Sequence, residues 1–151
     1  MIFWDTSAVV RLLVAEPASS SARELLARDS RMLVWWATPV ECLAALARRE
    51  HDGLLARDAA EQLRQDLSAL AASWSEVQAG ELVREHAGRL LLRHRLRAAD
   101  ALQLAAALVW AQGRPRGHRI ATFDRRLGDA ARGEGFRLSL PAPAAAADST
   151  V

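Results

Sequence analysis

The chain contains no lysine, so all 20 of its basic residues are arginine. A nucleotide-binding P-loop is excluded, because its GxxxxGK signature needs that amine. Phosphoacceptor receiver domains and haloacid-dehalogenase-like phosphatases are excluded with it, since both rely on a lysine. No Gly-rich turn follows the first apolar segment, which removes a dinucleotide-binding Rossmann site. Tyrosine is absent, whereas tryptophan occurs five times. The single cysteine, Cys42, cannot form an intramolecular disulfide or a Cys-rich zinc site, and points to a reducing compartment. No apolar stretch approaches the roughly 20 residues of a membrane span, and the opening MIFWDTS has neither a basic n-region nor a cleavage site. A cytoplasmic, soluble protein with no membrane partner is expected.

What is present is a core and an uneven charge. A length of 151 residues suits one domain, and 51% hydrophobic residues can fill it. The formal net charge is only +2, yet residues 1–88 carry 9 Arg against 13 Asp and Glu, a balance of −4. Residues 89–151 carry 11 Arg against 5 acids, a balance of +6, so the second part is the one expected to face nucleic acid. For any single arginine, solvation of a helix face is an equally good reading.

Periodicity gives alternating strands and helices. Met1 to Trp4 read as a strand and Thr6 to Ala15 as a helix; after Pro17 and three serines, Ala22 to Arg28 read as a helix and Met32 to Trp36 as a strand. A helix over Thr38 to His51 ends at the Asp52-Gly53 turn, another follows from about Leu55, and Trp74 to Val77 form a third short strand. Helices over Gly80 to Arg93 and Arg97 to Gln112 follow, then a strand over His118 to Phe123, a helix to about Arg132 and a last strand over Phe136 to Leu138. Strands separated by helices imply a parallel sheet covered on both faces, hence an α/β class with three α/β/α layers around a small central sheet. Residues 1–139 form the expected domain, and 140–151, rich in Ala and Pro, the expected disordered tail.

Four acids, Asp5, Glu41, Asp100 and Asp124, each stand where an apolar run gives way to a helix start. In open parallel sheets such positions surround the crevice beyond the carboxyl ends of the strands. Four unpaired acids in one crevice would repel and raise each other's pKa values unless a divalent cation sat among them. Each also has a local explanation. Thr38-Pro39-Val40-Glu41 is a capping box with proline at the first helical position. Asp5 and Asp124 suit N-caps, and Asp100 suits a first-turn acid or a partner for Arg97. Taken singly the local explanations win; it is the order of the four acids along the chain that favours a shared site.

The segments FWDTSAVVRLLVAEP, LRAADALQLAAAL and IATFDRRLGDAARGEGF, with a looser match at WATPVECLAAL, resemble the PIN-domain family of metal-dependent ribonucleases, in particular the VapC-type toxins of toxin–antitoxin pairs. The resemblance covers nearly the whole chain. It implies an acidic site at Asp5, Glu41, Asp100 and Asp124, with Thr6, Ser7 and Thr122 as secondary contacts. It implies Mg²⁺ or Mn²⁺ held by Asp5, Asp100 and Asp124, with Glu41 ligating a second ion or orienting water. The activity expected is endoribonucleolytic cleavage leaving a 5′-phosphate and a 3′-hydroxyl.

Such chemistry needs neither a histidine base nor a cysteine nucleophile, since carboxylate-bound Mg²⁺ supplies an activated water. His86 and His94 are read as packing or surface residues. Of the arginines near the acids, Arg97 and Arg125 are the named candidates for RNA contact, because the guanidinium fork matches phosphate oxygens. Trp4, Trp35 and Trp36 are expected in the core; Trp74 and Trp110 suit the core or a partner surface. The resemblance further implies a homodimer and a cognate small antitoxin protein lying across the cleft. Two other readings stay open: a catalytically inactive PIN-like module that binds RNA or protein, and a housekeeping RNA-processing nuclease.

Overall fold

Alternation along the first strand sorts the molecule into layers. A computed structural model describes residues 1–140. In β1 (Ile2–Trp4) every residue is buried, but Ile2 and Trp4 join one apolar cluster and Phe3 the other, as the two-residue period of a strand requires. β2 (Met32–Trp35) and β4 (Arg119–Ala121) repeat the pattern, with Leu33, Trp35 and Ile120 on the side of Phe3 and Met32, Val34 and Ala121 on the side of Ile2. β3 (Ser75–Val77) and β5 (Arg137–Leu138) complete a five-stranded sheet in the order β3-β2-β1-β4-β5, with every pairing parallel.

Helices cover both faces. The Ile2 side packs on α1 (Thr6–Leu13), α2 (Ser19–Arg28), α3 (Thr38–His51) and α4 (Arg57–Ala71) through Val9, Leu25, Cys42 and Leu67. The Phe3 side packs on α5 (Glu81–Arg93), α6 (Ala98–Trp110) and α7 (Arg125–Glu134) through Leu90, Leu104 and Leu127. This is the three-layer α/β/α arrangement expected. Each fully buried Leu or Ile contributes about 1.5–3 kcal/mol relative to exposure, so the all-round apolar α6 is the chief anchor of its layer. No helix among the described residues is long and apolar enough to cross a membrane.

Element boundaries follow the expected ones closely, with three informative differences. α2 begins at Ser19 rather than Ala22, because the Ser19 hydroxyl accepts from the Glu16 N–H and donates to the Val14 carbonyl, tying the helix start to the preceding turn. Trp36, expected in the core, is 52% exposed, since β2 ends at Trp35 and the chain turns there. Trp4 and Trp35 are buried as expected, while Trp74 and Trp110 pack at the margins of the two clusters. Leu140 closes over the Ile2-side cluster; the expected disordered tail otherwise falls on residues outside those described.

Candidate active site

Two neighbouring strands deliver two of the acids. Phe3 pairs with Ile120 and Trp4 with Ala121, so Asp5, directly after β1, and Asp124, shortly after β4, emerge at the same carboxyl edge. Both are N-caps: Asp5 accepts from the Ser7 N–H at 3.2 Å and Asp124 from the Leu127 N–H at 2.8 Å. Capping does not use up either carboxylate. The Ser7 N–H, the Ser7 hydroxyl and the Thr122 hydroxyl all donate to Oδ2 of Asp5, and Leu127 engages only Oδ1 of Asp124. Among the described residues, none donates a hydrogen bond to the second oxygen of either acid.

Helices supply the other two. Asp100 lies in the first turn of α6 and Glu41 in the first turn of α3. The capping box expected at Thr38 to Glu41 does not form. Helix α3 starts one residue earlier than that pattern requires, so Thr38 is already helical, Pro39 is the second helical residue, and no side chain caps the end. The Glu41 carboxylate instead leaves its own helix and accepts from the Thr6 hydroxyl at 2.6 Å and the Gln103 amide at 2.9 Å, both on Oε2. Nor does Asp100 pair with Arg97: no ion pair within 4.0 Å joins them. All four acids line one cleft of about 480 Å³.

The hydroxyl residues act as struts. Ser7 Oγ donates to Asp5 while accepting from the Phe123 N–H at 2.8 Å and the Asp124 N–H at 3.2 Å, so it stitches α1 to the loop after β4. Thr122 donates to Asp5 at 2.7 Å and accepts from the Asp124 N–H at 3.0 Å. Arg97 and Arg125 are exposed and adjoin Asp100 and Asp124 in the chain without forming the cleft wall.

Two contributors escaped sequence reasoning. Gln103, 1% exposed, places its amide nitrogen 2.8 Å from Thr6 Oγ1 and 3.3 Å from Thr38 Oγ1 in addition to Glu41. The available signal was its position, one turn past Asp100 and the lone polar side chain in ALQLAAALVW. The second is Glu16, which lines the cleft and pairs with both Arg49 and Arg11. Arg11 also stacks 4.5 Å over the Phe123 ring. Its pairing with Glu16 keeps these two arginines from neutralising the acids.

Consequently no ion pair among the described residues reaches Asp5, Glu41, Asp100 or Asp124. Burial pushes the Asp5 pKa up to about 6; its hydroxyl partners oppose the rise and the nearby Asp124 charge adds to it. Burial and Asp124 also raise Asp100, against the pull of Arg97 and Arg126. The Cys42 thiol, pushed up to about 12 by burial and by Glu41 and Asp5, stays protonated and is a packing group.

This donor set fits a hard divalent ion: oxygen ligands only, excess negative charge, and raised carboxyl pKa values that a cation would lower. Among the described residues no three acids form a ready-made cage.

Comparison with known proteins identifies the family. The PIN-domain family profile matches residues 2–133. Ribonuclease VapC45 of Mycobacterium tuberculosis strain CDC 1551 is 36% identical over 141 residues, covering 92% of this chain and 94% of that protein. Among solved structures, VapC20 of M. tuberculosis, described as a sarcin-ricin loop cleaving toxin, superposes with a TM-score of 0.63 at 21% identity, over 86% of this chain and 95% of that one. A chain of a toxin–antitoxin complex from Klebsiella pneumoniae superposes with a TM-score of 0.58 at 17% identity, over 82% and 87%. With the family profile matched over residues 2–133 and a relative 36% identical over 92% of its length, this chain belongs to the PIN-domain family.

Proposed function

We propose that this chain is a Mg²⁺- or Mn²⁺-dependent endoribonuclease and the toxin component of a toxin–antitoxin pair. The observation that carries the reading is four carboxylates in one cleft with no cation among the described residues paired to any of them, in a chain 36% identical to a ribonuclease. Asp5, Asp100 and Asp124 would hold the ion, directly or through water. Once bound, such an ion supplies a water of lowered pKa and offsets charge on the scissile phosphate. Ser7 and Thr122 fix Asp5 so that Oδ2 is saturated and Oδ1 is free to ligate. Thr6 and Gln103 fix Glu41 in the same way, leaving Oε1 to accept a hydrogen bond from the attacking water. Arg97 and Arg125, beside two of the acids, would guide RNA phosphates to an otherwise repelling cleft.

The same reading includes a small antitoxin as partner and a homodimer. Supporting the latter, Val40 and Leu43 lie one turn apart on α3 at 66% and 42% exposure beside the exposed Trp36, an apolar surface that a second chain would cover. The test is RNA cleavage by purified protein with Mg²⁺ or Mn²⁺, with Asp100→Asn and Asp124→Asn as controls. The expected result is cleavage leaving a 5′-phosphate and a 3′-hydroxyl, abolished by chelator and by either substitution. Activity equal in the wild type and both variants would replace this reading with that of a non-catalytic binding module. Growth arrest on expression, relieved by a neighbouring small gene, distinguishes a toxin from a housekeeping nuclease.

A further inference from the structure

The sheet edge opposite the acid cleft carries a second pocket of the opposite charge. It encloses about 580 Å³ between the C-terminal end of α2, the Asp29-Ser30-Arg31 turn, and the starts of β4 and β5. Four arginines line it, Arg28, Arg31, Arg119 and Arg137, against a single acid, Asp29. Arg28 is held by Glu24 in an exposed pair one helical turn away. The Asp29 carboxylate is shared: Arg31 Nε donates to Oδ1 at 3.2 Å, while Arg119 Nη2 at 3.2 Å and the terminal ammonium at 2.7 Å donate to Oδ2.

One carboxylate cannot neutralise that many cations, but it can hold them in place. Arg31 and Arg119 therefore stay fixed with donors to spare, since a guanidinium carries five N–H groups. Arg137 is exposed and has no ion-pair partner among the described residues. The negative end of the α2 dipole offsets only about half a charge. The pocket thus retains a positive surplus in a concave, pre-arranged form, and its planar forks match phosphate oxygens.

We infer that this pocket is a second RNA-binding site, which grips backbone phosphates of the substrate away from the bond that is cut. The inference rests on the ribonuclease reading above for the identity of the polyanion. Its logic is electrostatic. The acid cleft is lined by five acids against three arginines, Arg11, Arg48 and Arg49, so it keeps a negative surplus, and affinity for RNA has to be gathered from the surface beyond it. At about 3.3 Å per residue, the five residues from Arg119 in this pocket to Asp124 in the cleft span about 17 Å at most, a distance that one folded RNA bridges.

The test uses full-length protein in chelator, with fluorescently labelled mixed tRNA as the probe and anisotropy as the readout across a salt series. Arg31→Gln and Arg137→Gln are the variants; both side chains are exposed, and neither loss strands a buried acid. Arg84→Gln, at 78% exposure on α5, is the control. Each of the two variants is expected to weaken binding about three- to tenfold and to lower the salt slope by about one. In Mg²⁺ each should raise KM for RNA and leave kcat unchanged, whereas Arg84→Gln changes neither quantity. Equal weakening by Arg84→Gln, or unchanged affinity and slope in both pocket variants, overturns the inference, and cleavage surviving in that case leaves the nuclease reading intact. Binding that depends on Arg31 and Arg137 in a protein that cuts nothing would retain this site and remove the nuclease reading.

Discussion

Replacing Asp5 by Asn should make the metal-free protein more stable while destroying its activity. Asp5 is 4% exposed, and its pKa stands at about 6 against an ordinary 3.8. Between those values the folded state holds a proton that the unfolded state has shed, so unfolding free energy falls as pH rises through that window and is flat above it. A shift of about two units is worth about 3 kcal/mol, which is the cost at neutral pH of keeping this carboxylate ionised where it lies. Asparagine carries no charge to desolvate and can still accept from the Ser7 N–H. Because that N–H and the Ser7 and Thr122 hydroxyls all donate to Oδ2, the Asn carbonyl oxygen takes that place, and its amide group takes the place of Oδ1, where it has to find a new acceptor. Allowing about 1 kcal/mol for that rearrangement, the net gain at pH 7 is about 1–2 kcal/mol, or about 2–8 °C in Tm for a chain of this size.

The assay is thermal unfolding of both proteins in chelator at intervals from pH 4 to pH 8. The Asn variant should melt higher at pH 7, and the two curves should converge toward pH 4, where Asp5 of the folded wild type is protonated and that of the unfolded chain is approaching half protonation. Millimolar Mg²⁺ should raise the Tm of the wild type more than that of the variant, because binding to the folded state alone stabilises it. An Asn variant that melts at or below the wild type across this range, or a difference that fails to close at acid pH, would refute the claim that Asp5 is a strained, unpaired acid.

Two further substitutions test the supports of the site. Gln103→Leu removes a donor from Glu41 and from Thr6 within the same volume, and should lower Mg²⁺-dependent RNA cleavage about 10–100-fold with an unchanged circular dichroism spectrum; full activity would deny Gln103 a positioning role. Leu104→Ala, at 1% exposure in α6, should cost about 2–5 kcal/mol in urea unfolding, whereas Leu92→Ala, at 92% exposure, should stay within about 0.5 kcal/mol.

Local signals in the sequence carried most of the fold. Strands ending in an acid were visible at IFWD and IATFD because an apolar run stops at a charged residue, and parallel pairing then set the two acids side by side. The bounds of α3 were readable at both ends, from Thr38-Pro39 and from Asp52-Gly53, where Gly53 takes a φ of +71° that other residues rarely adopt. What stayed hidden depends on distant chain. Glu41 looked like a capping residue because its neighbours in sequence fit one, but its donors lie 35 and 62 residues away. Glu16 gave no local sign at all, since its role exists only once Arg49 arrives 33 residues later. Trp36 was misplaced for the opposite reason: its apolar character extended the run of β2, while the backbone turned one residue sooner.

The choice of supporting groups explains how this cleft stays both folded and charged. An arginine beside Asp5 or Glu41 would relieve the desolvation cost of the carboxylate, but it would occupy the place of a cation and cancel the charge that attracts one. Neutral donors avoid this. Ser7, Thr6, Thr122 and Gln103 each satisfy part of a carboxylate while leaving its net charge intact. They also engage one oxygen and spare the other, so each acid is oriented without being consumed. Of the arginines that reach the cleft wall, Arg11 and Arg49 are held by Glu16, an acid outside the set of four, and Arg48 forms no ion pair with any of the four among the described residues. The instability left in Asp5 is then a direct measure of how strongly the site favours an ion, and stability and metal affinity at this position should move in opposite directions under substitution.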